Sequence, residues 1–371
     1  MILDPNSIFF WLLIIAVLAG AVAVISRPFS TYVKFVYPNA KFEAMGNPYV
    51  EEKLLSGISN SKDLSGFKES INTSKDYKIE GKTTYEIQES LDNAFLQTIE
   101  MMKKDSSKKM NEFYNTYLEK IDIYLIKNVL KNKLLDKPGK DTILEKAILQ
   151  NTKKMIQKIN DSEKEDISEI LKNYGFSEEI IDITSDRNTD FLTLDSLIDK
   201  YVINKFKDVN VPYKCEPGKQ KYVKTMIDIS NIKNVLRAKQ LKYNEQSCMK
   251  LFLGEGHEIA SWKYKEMCEV DSVSQVISSL EGTSYYNSLK DSIEDYNKEN
   301  SVQLLENALN CKFLQIVRDI STQNYVTIGP TIRFLTLKEF EIRNLKIIAK
   351  GVDESLPAEM INNYLIKEIT T

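Results

Sequence analysis

Glycine and proline are scarce in this 371-residue chain, at 13 and 9 residues. Strand-and-turn folds draw on both, because glycine supplies positive backbone angles and proline pre-set ones. Their shortage, with no stretch of sustained period-2 alternation, points to an all-helical fold. Histidine occurs once, at position 257 in GEGHE. Without a Cys or Ser nucleophile nearby it reads as loop surface rather than an acid–base centre. The four cysteines, Cys215, Cys248, Cys268 and Cys311, form no CxxC pair. That spacing disfavours zinc and suits free thiols in a reducing compartment. No GxxxxGK[ST] run is present, and Gly254-x-Gly256 is too short for a dinucleotide or phosphate loop. No charge sign dominates: 50 Lys and Arg face 53 Asp and Glu, net −3, which gives no electrostatic case for nucleic acid. The acidic residues, spread over helical segments, read as solvated faces rather than metal ligands. No catalytic, cofactor-binding or metal-binding residue is expected, and the 19 tyrosines suit packing or interface contacts.

What is present is a composition 42% hydrophobic and 28% charged, enough for a sizeable core. The run from Ile8 to Ile25 carries no charge over 18 residues. As a helix it spans about 27 Å, the thickness of a bilayer's hydrocarbon layer. Ile8, Trp11, Leu18 and Ile25 mark this anchor, within residues 1–30. A cleaved signal would need a basic start, and residues 1–7 hold only Asp4 as a charge; that and a buried helix are the rival readings. Arg27, Lys34 and Lys41 follow the run, so the positive-inside rule predicts an outside N-terminus and a cytoplasmic body.

The body repeats itself. IKNVLKNK (Ile126–Lys133), IKNVLRAK (Ile232–Lys239) and LKIIAKGV (Leu345–Val352) form one block. SLDNAFLQTI (Ser90–Ile99), SLIDKYVINK (Ser196–Lys205) and ALNCKFLQIV (Ala308–Val317) form a second. The first two copies of each lie 106 residues apart and the third 218 to 219 beyond the first. Two blocks keeping one offset predict three homologous helical units of about 110 residues, 31–140, 141–248 and 249–371. Each later block continues an apolar stripe at helical spacing, such as Leu118, Ile121, Leu125 and Val129. Helices are expected to restart at Asp141, Glu245 and Pro357, and Tyr285-Tyr286 reads as a helix start. Lys103–Lys109 reads as a solvated helix face or loop.

One constellation could carry function. Lys131 and Lys133, Arg237 and Lys239, and Glu341, Arg343, Asn344 and Lys350 lie towards the ends of the repeated helices. If the units surround an axis, these residues form a charged collar that receives a partner. The alternative is three separate helix C-termini whose cations complement the helix dipole.

NVLRAKQL (Asn234–Leu241), IGPTIRFLTLKEFEIRNLKIIAKG (Ile328–Gly351), LEGTSYYNSL (Leu280–Leu289) and YPNAKFEAM (Tyr37–Met45) resemble the C subunits of archaeal and bacterial A/V-type ATP synthases, relatives of the d subunit of the eukaryotic V-ATPase. The resemblance covers most of residues 36–371. It implies a funnel of three helical domains in a pseudo-threefold arrangement, seated on the cytoplasmic face of the proteolipid ring. The funnel would hold the foot of the central shaft, made of the D and F subunits, and pass torque linked to proton or sodium transport without chemistry of its own. Lys41 and Glu43 stand where that family tends to carry arginines, and the anchor is absent from its soluble members. A membrane-tethered helical scaffold unrelated to rotation is the second reading, and an anchored enzyme the third.

Overall fold

The computed structural model describes residues 7–74, 76–137, 147–186 and 188–368, and among these the regular structure is helical, with no strand. Helix α1, Ile8–Met45, runs unbroken for 38 residues, about 57 Å. Ser7 starts it, its side chain accepting from the Phe9 N–H. Pro28 and Pro38 lie inside. The apolar first half of α1 is largely exposed, Ile8 and Ile25 at 71% and 67%. Burial begins at Thr31 and continues through Phe35, Pro38, Asn39 and Phe42, one face of the second half.

Three long hairpins follow. They are α2 (Thr84–Asp105) with α3 (Asn111–Leu134), α4 (Phe191–Asp208) with α5 (Glu216–Gln240), and α6 (Val302–Gln323) with α7 (Gly329–Asp353). Each sequence block falls inside one of these helices. Local chemistry sets their ends. Thr83 and Glu86 close a capping box on α2. The Asp190 carboxylate accepts from the Leu192 N–H at the start of α4. Pro217 and Pro330 occupy the first turns of α5 and α7, where no intrahelical donor is lost.

The second helices finish alike. The N–H groups of Leu135, Leu241 and Glu354 bond to the carbonyls of Lys131, Arg237 and Lys350 at 3.0, 3.0 and 3.1 Å. The next residues, Asp136, Lys242 and Ser355, turn left-handed at φ 53°, 59° and 56°. This shared cap fixes the register of the repeat. Lys131, Arg237 and Lys350 are equivalent, and so are Lys127, Lys233 and Lys346. The expected grouping is corrected here: Glu341, Arg343 and Asn344 stand six to nine residues before the shared position.

The hairpins join head to tail. Helix α3 packs on α4, α5 on α6, and α7 on α2, so six helices close a ring. The segment before α2 packs at the last of these joints: helices Glu52–Ser59 and Leu64–Asn72 both lie against α7. Helices start at Glu245 and at Ala358, the latter behind Pro357 as cap, as expected; Asp141 lies outside the described residues. Tyr285 precedes the short helix Tyr286–Asp291, and His257 is exposed in a loop. All four cysteines are free thiols.

Helix α1 touches all three hairpin bends. Lys41 pairs with Asp105 at 2.6 Å. The Arg27 guanidinium lies 4.4 Å from the Tyr213 ring centre. The Asn39 amide donates to the carbonyls of Tyr325 and Thr327 at 2.8 and 3.0 Å. Glu43 accepts from the Tyr325 hydroxyl at 2.9 Å. The two positions that depart from the resembled family therefore clamp α1 to the body. Edge-to-face and stacked rings fill the ring of helices at this end: Phe113, Phe206, Tyr222 and Phe313 follow one another at centroid distances of 5.8, 6.2 and 5.7 Å.

Candidate functional site

The six ring helices surround an open cavity of about 1070 Å³, lined from every one of them. Its wall has tiers because the repeat places equivalent residues at equal heights. Lys131, Arg237 and Lys350 form the upper tier, at the helix ends remote from α1. Lys127, Lys233 and Lys346 form a tier one turn deeper. Lys120, Met226 and Glu339 form the lowest, about 16 Å below the upper one by helical rise. There Lys120 and Glu339 pair at 2.6 Å, beside the aromatic plug.

Five of the six cations of the two upper tiers face the first helix of the next hairpin. Lys131 pairs with Asp195 at 2.5 Å and Lys127 with Asp199 at 2.6 Å across the α3–α4 seam. Arg237 holds Glu306 with two bonds, at 2.5 and 2.7 Å, across α5–α6, where Lys233 meets the Asn310 amide oxygen at 2.7 Å. Lys346 pairs with Asp92 across α7–α2. Lys350 turns instead to Glu354 on its own helix, at 2.7 Å, and Gln88 on α2 donates to the Lys346 carbonyl at 3.4 Å. Bidentate geometry makes the Arg237–Glu306 pair the strongest of these.

Of the eight residues the sequence singled out, four line the cavity: Lys131, Arg237, Arg343 and Lys350. The other four point elsewhere. Lys133 donates to the Asn160 carbonyl at 3.1 Å, and Lys239, 7% exposed, to the Cys268 carbonyl at 2.6 Å. Two residues along a helix is a turn of about 200°, so the partners of Lys131 and Arg237 in the sequence face away from the axis. Glu341 and Asn344 are fully buried on that outer side. Glu341 accepts from the Tyr49 N–H at 3.0 Å, and Asn344 brackets Ile366 by accepting from its N–H at 2.9 Å and donating to its carbonyl at 2.7 Å.

Sequence reasoning singled out Glu341 but missed the two residues that share its repeat position, Asp122 and Asp228; all three are 0–1% exposed, and Asp122 and Asp228 are not the solvated acids expected. Each ties a loop to the back of its helix. Asp122 accepts from the N–H groups of Ile148 and Leu149 at 2.9 and 2.8 Å. Asp228 accepts from those of His257, Glu258 and Ile259 at 3.1, 2.9 and 2.9 Å, and from the Tyr285 hydroxyl at 3.0 Å. Burial pushes all three carboxyls above their ordinary range, against these donors. The signal lay in the same offsets that revealed the lysines.

Lys233 is pushed down to about 8, by burial first and also by Arg237 and Arg343, while Glu306 and Asp199 oppose. Its unfolded value is near 10.4, so between about pH 8 and 10 the unfolded chain holds the extra proton and stability rises with pH. Urea unfolding should show the unaltered protein gaining about 1–2 kcal/mol over that window relative to Lys233→Met. A gain of the same size in the variant would place the titration elsewhere.

Residues 38–364 match the model of the ATP synthase (C/AC39) subunit family. The A-type ATP synthase C subunit of Methanobrevibacter smithii is 29% identical to this chain, over 97% of it and 96% of the relative. That of Methanosphaera stadtmanae is 25% identical, over 98% and 96%. That of Methanocaldococcus jannaschii is 28% identical, over 71% and 66%. The first two alignments leave at most about 11 residues of this chain uncovered and so run into the apolar half of α1. The chain belongs to the ATP synthase (C/AC39) subunit family.

Proposed function

We propose that this protein is a non-catalytic central-stalk component of an A-type ATP synthase, joining the membrane proteolipid ring to the D and F subunits of the shaft. One observation carries the reading: α1 leaves from the plugged end of a closed ring of helices, and the cationic tiers line the other end. The body is read as three units, 31–140, 141–248 and 249–371, around a pseudo-threefold axis, a funnel that opens away from the membrane. A helix about 10 Å across fills 1070 Å³ over about 14 Å. That is close to the depth from the upper tier to the lowest, so the cavity suits the foot of a helical shaft. Torque transfer needs stiffness, which packed helices supply because their interiors deform little, and no reactive group.

The apolar half of α1 is read as spanning the membrane, N-terminus outside and body in the cytoplasm. The exposed apolar character continues past it on the face turned from the body, through Phe29, Val33, Val36 and Tyr37, each at least 61% exposed. These residues would meet the ring where the span emerges. A rotor part anchored outside the ring would strike the stator at each turn, so the span is assigned to the lipid-filled lumen. Cysteines at Phe10 and Leu18 test both claims in the native complex. Crosslinks to the inner face of the proteolipid ring, with D and F co-purifying, are expected. Crosslinks to the ring's outer face or to the stator would defeat the lumen assignment, and purification free of other ATP synthase components would defeat the whole reading.

A further inference from the structure

The threefold order of the cavity wall fails at one seam. In the middle tier Lys127 has Asp199 and Lys346 has Asp92, but Lys233 has the neutral Asn310. Arg343 lines the same cavity, near enough for its charge to act on Lys233, and makes no hydrogen bond or ion pair with another described residue. Its threefold equivalents are Tyr124 and Ser230, so the other two units place no cation at that height. The two carboxylates that act on Lys233, Glu306 and Asp199, are each paired with another cation, Arg237 and Lys127, so neither Lys233 nor Arg343 has a carboxylate of its own. Burial chiefly holds Lys233 below its ordinary range; Arg237 and Arg343 add to this by repulsion, and Glu306 and Asp199 only partly oppose it. A partly buried pair of like charges is stable only at a cost, and an incoming anion removes that cost.

We propose that Lys233 and Arg343 receive a carboxylate side chain from an acidic segment of the shaft, and so select one rotational register among three near-equivalent ones. The proposal deepens the shaft-binding function above and rests on it. Without such a mark, a pseudo-threefold socket would accept the same helix in three orientations of similar energy, and torque would slip between them. A protein carboxylate suits the site because the cavity admits a helical segment of about nine residues, and a side chain on it would lie about one turn below the rim. The guanidinium can take both oxygens while the ammonium takes one.

Asn310→Asp tests this, because it supplies the missing carboxylate from within and mends the symmetry without removing any cation. Full-length protein in nanodiscs, titrated calorimetrically with the purified D–F shaft at about 50 mM salt, should bind the variant at least tenfold more weakly. Its melting temperature should be equal or higher, since Lys233 gains a partner. Arg343→Gln should weaken binding similarly. Gln88→Glu adds the same charge at the α7–α2 seam and should weaken binding about threefold, through the general field alone. Unchanged affinity in Asn310→Asp overturns the proposal. So does an equal loss in Gln88→Glu, which would make the effect one of net charge. No binding by the unaltered protein overturns the shaft-binding reading itself, and this inference with it.

Discussion

Asp228→Ala should cost the body about 3–5 kcal/mol, measured by chemical unfolding, because it strands four donors in a buried place. The N–H groups of His257, Glu258 and Ile259 and the Tyr285 hydroxyl all end on that one carboxylate. Asp228→Asn keeps one acceptor oxygen and the same volume, and should cost about half as much. The loop is fitted as closely as it is bonded: a Cβ built on Gly256 would come 1.7 Å from an Asp228 carboxylate oxygen. Loss of less than 1 kcal/mol in Asp228→Ala would show that the loop is held by its apolar contacts instead, and the shared acidic position would lose its structural meaning.

Removing residues 1–26 should leave a folded body that a high-salt wash strips from membranes, while the intact protein stays. Burial on α1 starts at Thr31, so the truncation takes away no core contact. What it removes is an 18-residue apolar helix with mean hydropathy 3.0. Insertion of such a segment is worth about 5–10 kcal/mol on translocon scales. The contacts left behind are partly ionic and are screened by salt. Immunoblots of washed membranes should find most of the truncated protein in the supernatant and nearly none of the intact one. Release of the intact protein by salt would contradict a membrane span.

Much of the architecture was legible before any coordinates. The repeated blocks located all six ring helices, because an apolar stripe at helical spacing is a local signal. The apolar run told its own story for the same reason. The site was half legible. Lys131, Arg237 and Lys350 could be found from the block ends, but Lys133 and Lys239, two residues beyond the first two, turn away from the cavity, since identity of type hides a turn of about 200°. Asp199, Asn310 and Asp92 escaped notice. Their partners lie 72, 77 and 254 residues away in sequence, and pairing at that range leaves no periodicity to read. They also show the early blocks one residue out of step: aligned on Ser90 and Ser196, they set Asp92 against Ile198, whereas the seam sets it against Asp199.

The bond from Tyr49 to Glu341 spans 292 residues, and with it the order of manufacture enters. Helix α1 and the segment behind it leave the ribosome well before α7, which packs on that segment. At about 5–20 residues per second the wait is roughly 15–60 s. For that time the helices from Glu52 to Asn72 lack the cover of α7, which helps to bury Leu55, Phe67 and Ile71. Synthesis of this part is thus a task for chaperones as much as for thermodynamics, and a ribosome that stalls before α7 is made leaves a sticky, partly covered product.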